Sequence, residues 1–271
     1  MRAPVEAQES LLSVQVAEVG GASAAPGPGA QMQLTGALKP APPPAVTWLP
    51  RALYVATALV VLRWCAVSLG GIRFFTAEMV KGGDRSTTKL FNSHPLLMVL
   101  AYVVCMSEAV MAFKAPPSAA LVRSQRKLLH ACMHSLAAVF VSMGLYSAFQ
   151  SHNLAVPPIP NMYSLHSYLG LATAVTTLAQ WAVAVAVFYY PGFPYRLRAV
   201  VLPVHRWLGL VVYVMGVATI SVGIQEKSTF LQTLAKKEVY GAEIGTGVAL
   251  GLMSMLTAVS VVFAVQPVTY A

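Results

Sequence analysis

Six stretches of roughly 20 residues, the length a helix needs to cross the hydrocarbon of a bilayer, run through this chain almost without charge. They cover residues 52–71, 94–113, 128–149, 165–190, 203–224 and 244–265. In lipid, backbone N–H and C=O groups must be satisfied within a helix or a closed barrel, and no alternating ten-residue pattern of barrel strands is present. The expected fold is therefore an all-α membrane protein with six transmembrane helices. Composition agrees: 57% of the 271 residues are hydrophobic and 10% are charged, against about 25% charged in soluble domains.

Residues 1–47 carry GGASAAPGPGA and KPAPPP. Such Ala, Pro and Gly-rich sequence cannot build a core and reads as a disordered tail, leaving 48–271 as the six-helix domain. No basic stretch followed by an apolar core starts at Met1, and three glutamates oppose a transit peptide, so the first span is expected to serve as an uncleaved anchor. An even number of spans puts both termini on one side. Loops two–three and four–five hold Lys114, Arg123, Arg126, Lys127, Arg196 and Arg198 without an acidic residue, whereas 152–164 has no Lys or Arg. The positive-inside rule then places the termini in the cytosol. Arg73, Lys81, Arg85 and Lys89, with Lys227, Lys236 and Lys237, would fall on the other side and weaken that bias.

The formal charge is +9, but it is scattered over short loops rather than gathered on one face. This excludes a nucleic-acid partner and leaves topology and attraction for small anions. Cys65, Cys105 and Cys132 lie within spans, without Cys-x-x-Cys spacing, and read as small apolar packers. Gly245, Gly247 and Gly251 in the sixth span read as close helix packing.

The histidines carry the functional signal. His94, His130, His166 and His205 open the second to fifth spans at intervals of 36, 36 and 39 residues. Consecutive spans run in opposite directions, so the starts of the second and fourth share one membrane face and those of the third and fifth the other. If these four spans form a four-helix bundle, His94 faces His166 near the outer side and His130 faces His205 near the cytosolic side. An intramembrane imidazole is costly without a partner. Two opposed histidines without carboxylate or thiolate companions suit the axial positions of a b-type haem better than zinc or calcium, which take four or more ligands. With both axial positions filled, the implied chemistry is electron transfer.

FNSHPLLM, EAVMAFK, KLLH, NMYSLHSYLG, AQW and GIQEKSTF, in this order over about residues 52–265, resemble the cytochrome b-561 family of transmembrane ascorbate-dependent oxidoreductases, and within it the plant ascorbate ferrireductases. The resemblance implies six helices with two haem b groups. One is held by His94 and His166, the other, on the cytosolic side, by His130 and His205. It also implies an ascorbate donor, a monodehydroascorbate or ferric-chelate acceptor, a homodimer, and residence in an endomembrane such as the vacuolar one or in the plasma membrane. His134 lies four residues after His130 on the same face. The family pattern places the ligand first, as in Lys127-Leu-Leu-His130, which leaves His134 a supporting or packing role.

Ascorbate is an anion at neutral pH, so its mouth calls for positive charge. Lys127 and Arg126 precede His130 by about one turn, Arg206 adjoins His205, and Lys114 matches a basic position of the family. Anchoring at the lipid phosphates is the competing reading for each. APPSAAL lengthens this loop relative to the family. On the opposite face, His152 matches a family histidine beside the acceptor, although VPPIP lengthens the interval, and Asn161 and Tyr163 flank the same mouth. A solvated loop histidine and an aromatic-belt tyrosine are the plainer alternatives.

Arg63 and Glu108 are charges within spans, expected to pair with each other, or Arg63 with a haem propionate. A different class of function, an ion path or a haem-binding subunit without turnover, would use the same histidines. An ion path favours stacked carboxylates and helices broken at the midplane, and here Pro95 and Pro203 are expected at helix starts.

Overall fold

The computed structural model describes residues 43–75, 87–189 and 193–266. Among these, six helices are long and apolar enough to span a membrane: α1 Pro44–Ser68, α2 Thr88–Met111, α3 Arg123–Asn153, α4 Leu165–Tyr189, α5 Tyr195–Thr233 and α6 Ala242–Val265. No strand occurs among the described residues. The chain is an all-α, multi-pass membrane protein. Residues 1–42 of the expected tail, and Lys81 and Arg85 of the first loop, lie outside the described residues.

Several helices run past the apolar stretches that announced them. Residues 44–47, expected in the tail, form the first turn of α1, with Pro44 at its first position, where a missing N–H costs nothing. At 39 residues, α5 is about 58 Å long, roughly twice the hydrocarbon thickness. It takes Glu226 and Lys227, expected in a loop, into its last turns. Pro95 and Pro203, expected at helix starts, lie about two turns inside α2 and α5. Hydropathy marks only the part of a helix that meets lipid, so the turns beyond it are invisible to an apolar scan.

The second helix is central: 72% of its apolar stretch is buried within the protein, against 39% or less for the other five. It packs on α3, α3 on α4, α4 on α5, and α5 returns to its middle, closing the expected four-helix bundle. The first and sixth helices pack together against one side of α2. Trp64 Nε1 donates to Glu243 O at 2.8 Å, tying α1 to the start of α6. In its middle α2 widens into a π-helical stretch, Val99–Cys105. From there the Tyr102 hydroxyl pairs with Thr177 Oγ1 of α4 at 3.0 Å. Its ring fills the space beside Gly216 of α5, where a Cβ would collide with it. Deeper along the same pair of helices, the Tyr213 and Ser107 hydroxyls meet at 2.8 Å.

The charge pairing differs from expectation. Glu108 is held by Arg51, at 2.6 Å, and by the Tyr54 hydroxyl, at 2.9 Å. Arg51 also donates to Thr47 O and Ala115 O. Both charged residues are buried, at 6% and 8% exposure. The Arg63 side chain is exposed on the outer face of α1, near its C-terminal end. The apolar scan starts the first span at 52 because Arg51 is charged; in the fold that charge turns inward and the helix continues. Of the three glycines in α6, only Gly247 sits at close quarters, against Trp64, Ile224 and Ser228, while Gly245 and Gly251 face open space. Cys65 and Cys105 are buried packers, whereas Cys132 is exposed.

Candidate functional site

Two histidine couples are the centre of the site. His94 on α2 and His166 at the start of α4 face each other with ring centroids 6.0 Å apart and planes at 78°. At the opposite end of the bundle, His130 on α3 and His205 on α5 repeat the arrangement at 6.0 Å and 75°. The parity of antiparallel crossings thus delivers four imidazoles as two couples.

Three of the rings are oriented by a neighbouring backbone. His94 Nδ1 lies 3.0 Å from Gly144 O, His130 Nδ1 2.8 Å from Ala109 O, and His166 Nδ1 3.1 Å from Thr219 O. A carbonyl can only accept, so Nδ1 carries the proton in each ring and Nε2 keeps a free lone pair. This is the outer support that metal-binding imidazoles commonly have. His205 packs against Phe188, with centroids 5.3 Å apart. His134 lies beside His130, centroids 4.5 Å apart, and it is His130 that faces His205.

The first couple opens into a cavity of about 880 Å³ walled by Phe91, Met98, Tyr102, Leu145 and Ile220, within the usual range of about 300–1,000 Å³ for ligand sites. Beside His205 there is a smaller space of about 200 Å³, bordered by Gln180, Val183 and Val204. Among the described residues no group of three or more His, Cys, Asp or Glu is placed to hold a metal ion. That donor set does not suit a protein-bound zinc, which takes three or four protein ligands. It fits a porphyrin-bound iron, which would ask only two ligands of the protein, and the facing imidazoles of each couple would supply them.

The expected substrate residues divide between the two ends. Near His130 and His205, Lys127 is exposed, donates to Phe188 O at 2.9 Å and lies 5.0 Å from the centroid of the Tyr189 ring. Arg126 is turned into the α2–α3 loop, where it donates to Leu121 O, Phe113 O and Ala119 O. Lys114 and Arg206 are exposed.

At the other end, His152, Asn161 and Tyr163 all line the larger cavity. His152 Nδ1 is 3.1 Å from Asn161 Oδ1, and the Asn161 amide donates to Asn153 Oδ1 at 2.8 Å. The His152 ring stacks on Tyr163 at 6.1 Å and on Phe91 at 6.2 Å, and Phe91 lies 5.9 Å from His94. A run of rings therefore leads from the mouth to the first couple. Burial, followed by the nearby Glu226 carboxylate, holds the Tyr163 hydroxyl above its ordinary pKa. Phe91, Glu226 and Lys227 line this cavity as well and were missed. For Glu226 and Lys227 the GIQEKSTF stretch was the available signal, but its polar residues read as loop; Phe91 opens the FNSHPLLM stretch, where the histidine drew the reading.

A family model for eukaryotic cytochrome b561 matches residues 93–231, a span that contains all four facing histidines. The chain belongs to the eukaryotic cytochrome b561 family. It is 38% identical over 218 residues to the probable ascorbate-specific transmembrane electron transporter 2 of Oryza sativa subsp. japonica, covering 80% of this chain and 87% of the relative. It is 34% identical over 201 residues to transmembrane ascorbate ferrireductase 1 of Arabidopsis thaliana, covering 73% and 77%. The bovine lysosomal membrane ascorbate-dependent ferrireductase CYB561A3 is 38% identical over 141 residues, covering 52% of each chain. Membership of a b-type cytochrome family implies haem b, and the two-imidazole donor sets suit it.

Proposed function

We propose that this membrane oxidoreductase of the cytochrome b561 family carries single electrons from cytosolic ascorbate to monodehydroascorbate or a ferric chelate on the other side of the bilayer. Two haem b groups per chain, when bound, supply reversible one-electron exchange. The observation that carries this reading is the repeated couple, two imidazoles at equal separation at each end of one four-helix bundle.

In this reading His94 with His166 and His130 with His205 are the axial ligands. Backbone carbonyls of Gly144, Ala109 and Thr219 fix the rings of three of them. Lys127, with Lys114 and Arg206, draws the ascorbate anion toward the His130–His205 end. Arg126 contributes charge there while holding the donor loop in shape. His152, Asn161 and Tyr163 receive the acceptor at the other mouth, and the Phe91 ring bridges His152 to His94. Ascorbate gives up one electron and one proton on the donor side. A ferric chelate gains the electron alone, and monodehydroascorbate gains an electron and a proton from water. The termini are cytosolic, the protein works as a homodimer, and its home is an endomembrane or the plasma membrane.

The test is vectorial. Holoprotein is placed in vesicles loaded with ferric citrate, and ascorbate is added outside. Ferrous iron should accumulate inside only when the protein is present, and a His94→Ala variant should abolish it. Ascorbate that leaves the haem absorption unchanged would overturn the reading.

A further inference from the structure

The acceptor mouth poses an electrostatic problem. Its expected loop, 152–164, contains no Lys or Arg, yet ferric chelates and monodehydroascorbate are anions. We propose that Lys227 supplies the missing charge, as an anion-binding residue at the rim of the His94–His166 cavity.

Lys227 lines that cavity together with both histidines. It lies one turn beyond Gly223, the residue that His166 packs against, so the same face of α5 supports the imidazole and carries the ammonium above it. Its Nζ is 4.9 Å from the centroid of the Phe91 ring, the ring that links His94 to His152. Among the described residues the ion pairs are Arg51–Glu108 and Lys237–Glu243, and Lys227 is in neither. The adjacent Glu226 is turned to Ser164, whose hydroxyl donates to it at 2.9 Å. An ammonium has three donors, and a ring face offers it no hydrogen-bond acceptor lone pair. A half-buried cation in a polar-mouthed cavity, with no carboxylate of its own, is built to meet an anion from outside the chain.

Two sources present the same chemistry: a propionate of haem b held in the cavity, or the anionic acceptor. This inference rests on the proposed function for the second source only. The experiment compares purified holoprotein with Lys227→Met and Lys227→Arg in two arms.

In the first arm, redox titration followed by haem absorbance should show one midpoint potential falling in K227M and restored in K227R if a propionate is the anion. In the second, haems reduced with stoichiometric dithionite are mixed with ferricyanide or with hexaamminecobalt(III). If the acceptor is the anion, K227M should slow reoxidation by ferricyanide roughly tenfold and leave the cobalt cation unaffected. Unchanged potentials together with unchanged rates would overturn the proposal, as would equal slowing of both acceptors in K227M and K227R. Dithionite supplies the electrons, so wild-type protein that ascorbate fails to reduce would contradict the proposed function and leave this result standing.

Discussion

The His166 imidazole rests on Gly223 of α5, at a place where a Cβ would come within 2.5 Å of a ring carbon. The backbone of α5 must come this close for Thr219 O to reach His166 Nδ1, and only the missing side chain permits it. Gly223→Ala should therefore push the ring away from His94. Overpacking of this kind costs about 1–3 kcal/mol. Absorption spectra and redox titration should show one haem perturbed or lost while the other is unchanged. An unaltered pair of haems in this variant would mean that His166 is free to move.

The Arg51–Glu108 pair pins the start of α1 to the end of α2, next to the Ala109 carbonyl that orients His130. Removing one member leaves a buried charge alone, at a cost of about 3–5 kcal/mol. Glu108→Leu and Arg51→Met should each lower the thermal midpoint sharply, and the double variant should be gentler than the sum. Arg63→Gln, on the exposed face, should be close to neutral. Thermal unfolding in mild detergent provides the double-mutant cycle. Additive effects of the two buried substitutions would refute the coupling.

These two relationships differ in how far the sequence revealed them. Six apolar runs give six helices because lipid demands it, and the histidine intervals give two couples because antiparallel crossings demand it. Neither depends on side-chain detail. Arg51 was missed because an isolated arginine looks like the end of a membrane span, and its partner is 57 residues away. Lys227 was missed because a polar stretch after an apolar run reads as a loop, while α5 in fact continues through it to Thr233. The support of His166 by Gly223 has no sequence signal at all without knowing which helix faces which.

Lys127 and Arg126 are neighbours with different tasks, which kinetics can separate. Lys127 is exposed at the donor end, so Lys127→Met should raise the KM for ascorbate roughly tenfold and flatten its dependence on ionic strength. Arg126 spends its donors on three loop carbonyls. Arg126→Met should loosen the loop, seen as faster proteolysis between α2 and α3, with a smaller change in salt dependence. Stopped-flow reduction by ascorbate at several salt concentrations measures both. Identical salt profiles for the two variants would contradict this division.

The most direct test of the account is a count of haems. Wild-type protein should carry two haem b per chain by the pyridine haemochrome assay, and His166→Ala and His205→Ala should each carry one, with complementary spectra. His134→Leu should keep both, because it is His130 that faces His205. One haem or none in the wild type, or loss of both haems from a folded His166→Ala variant, would contradict it.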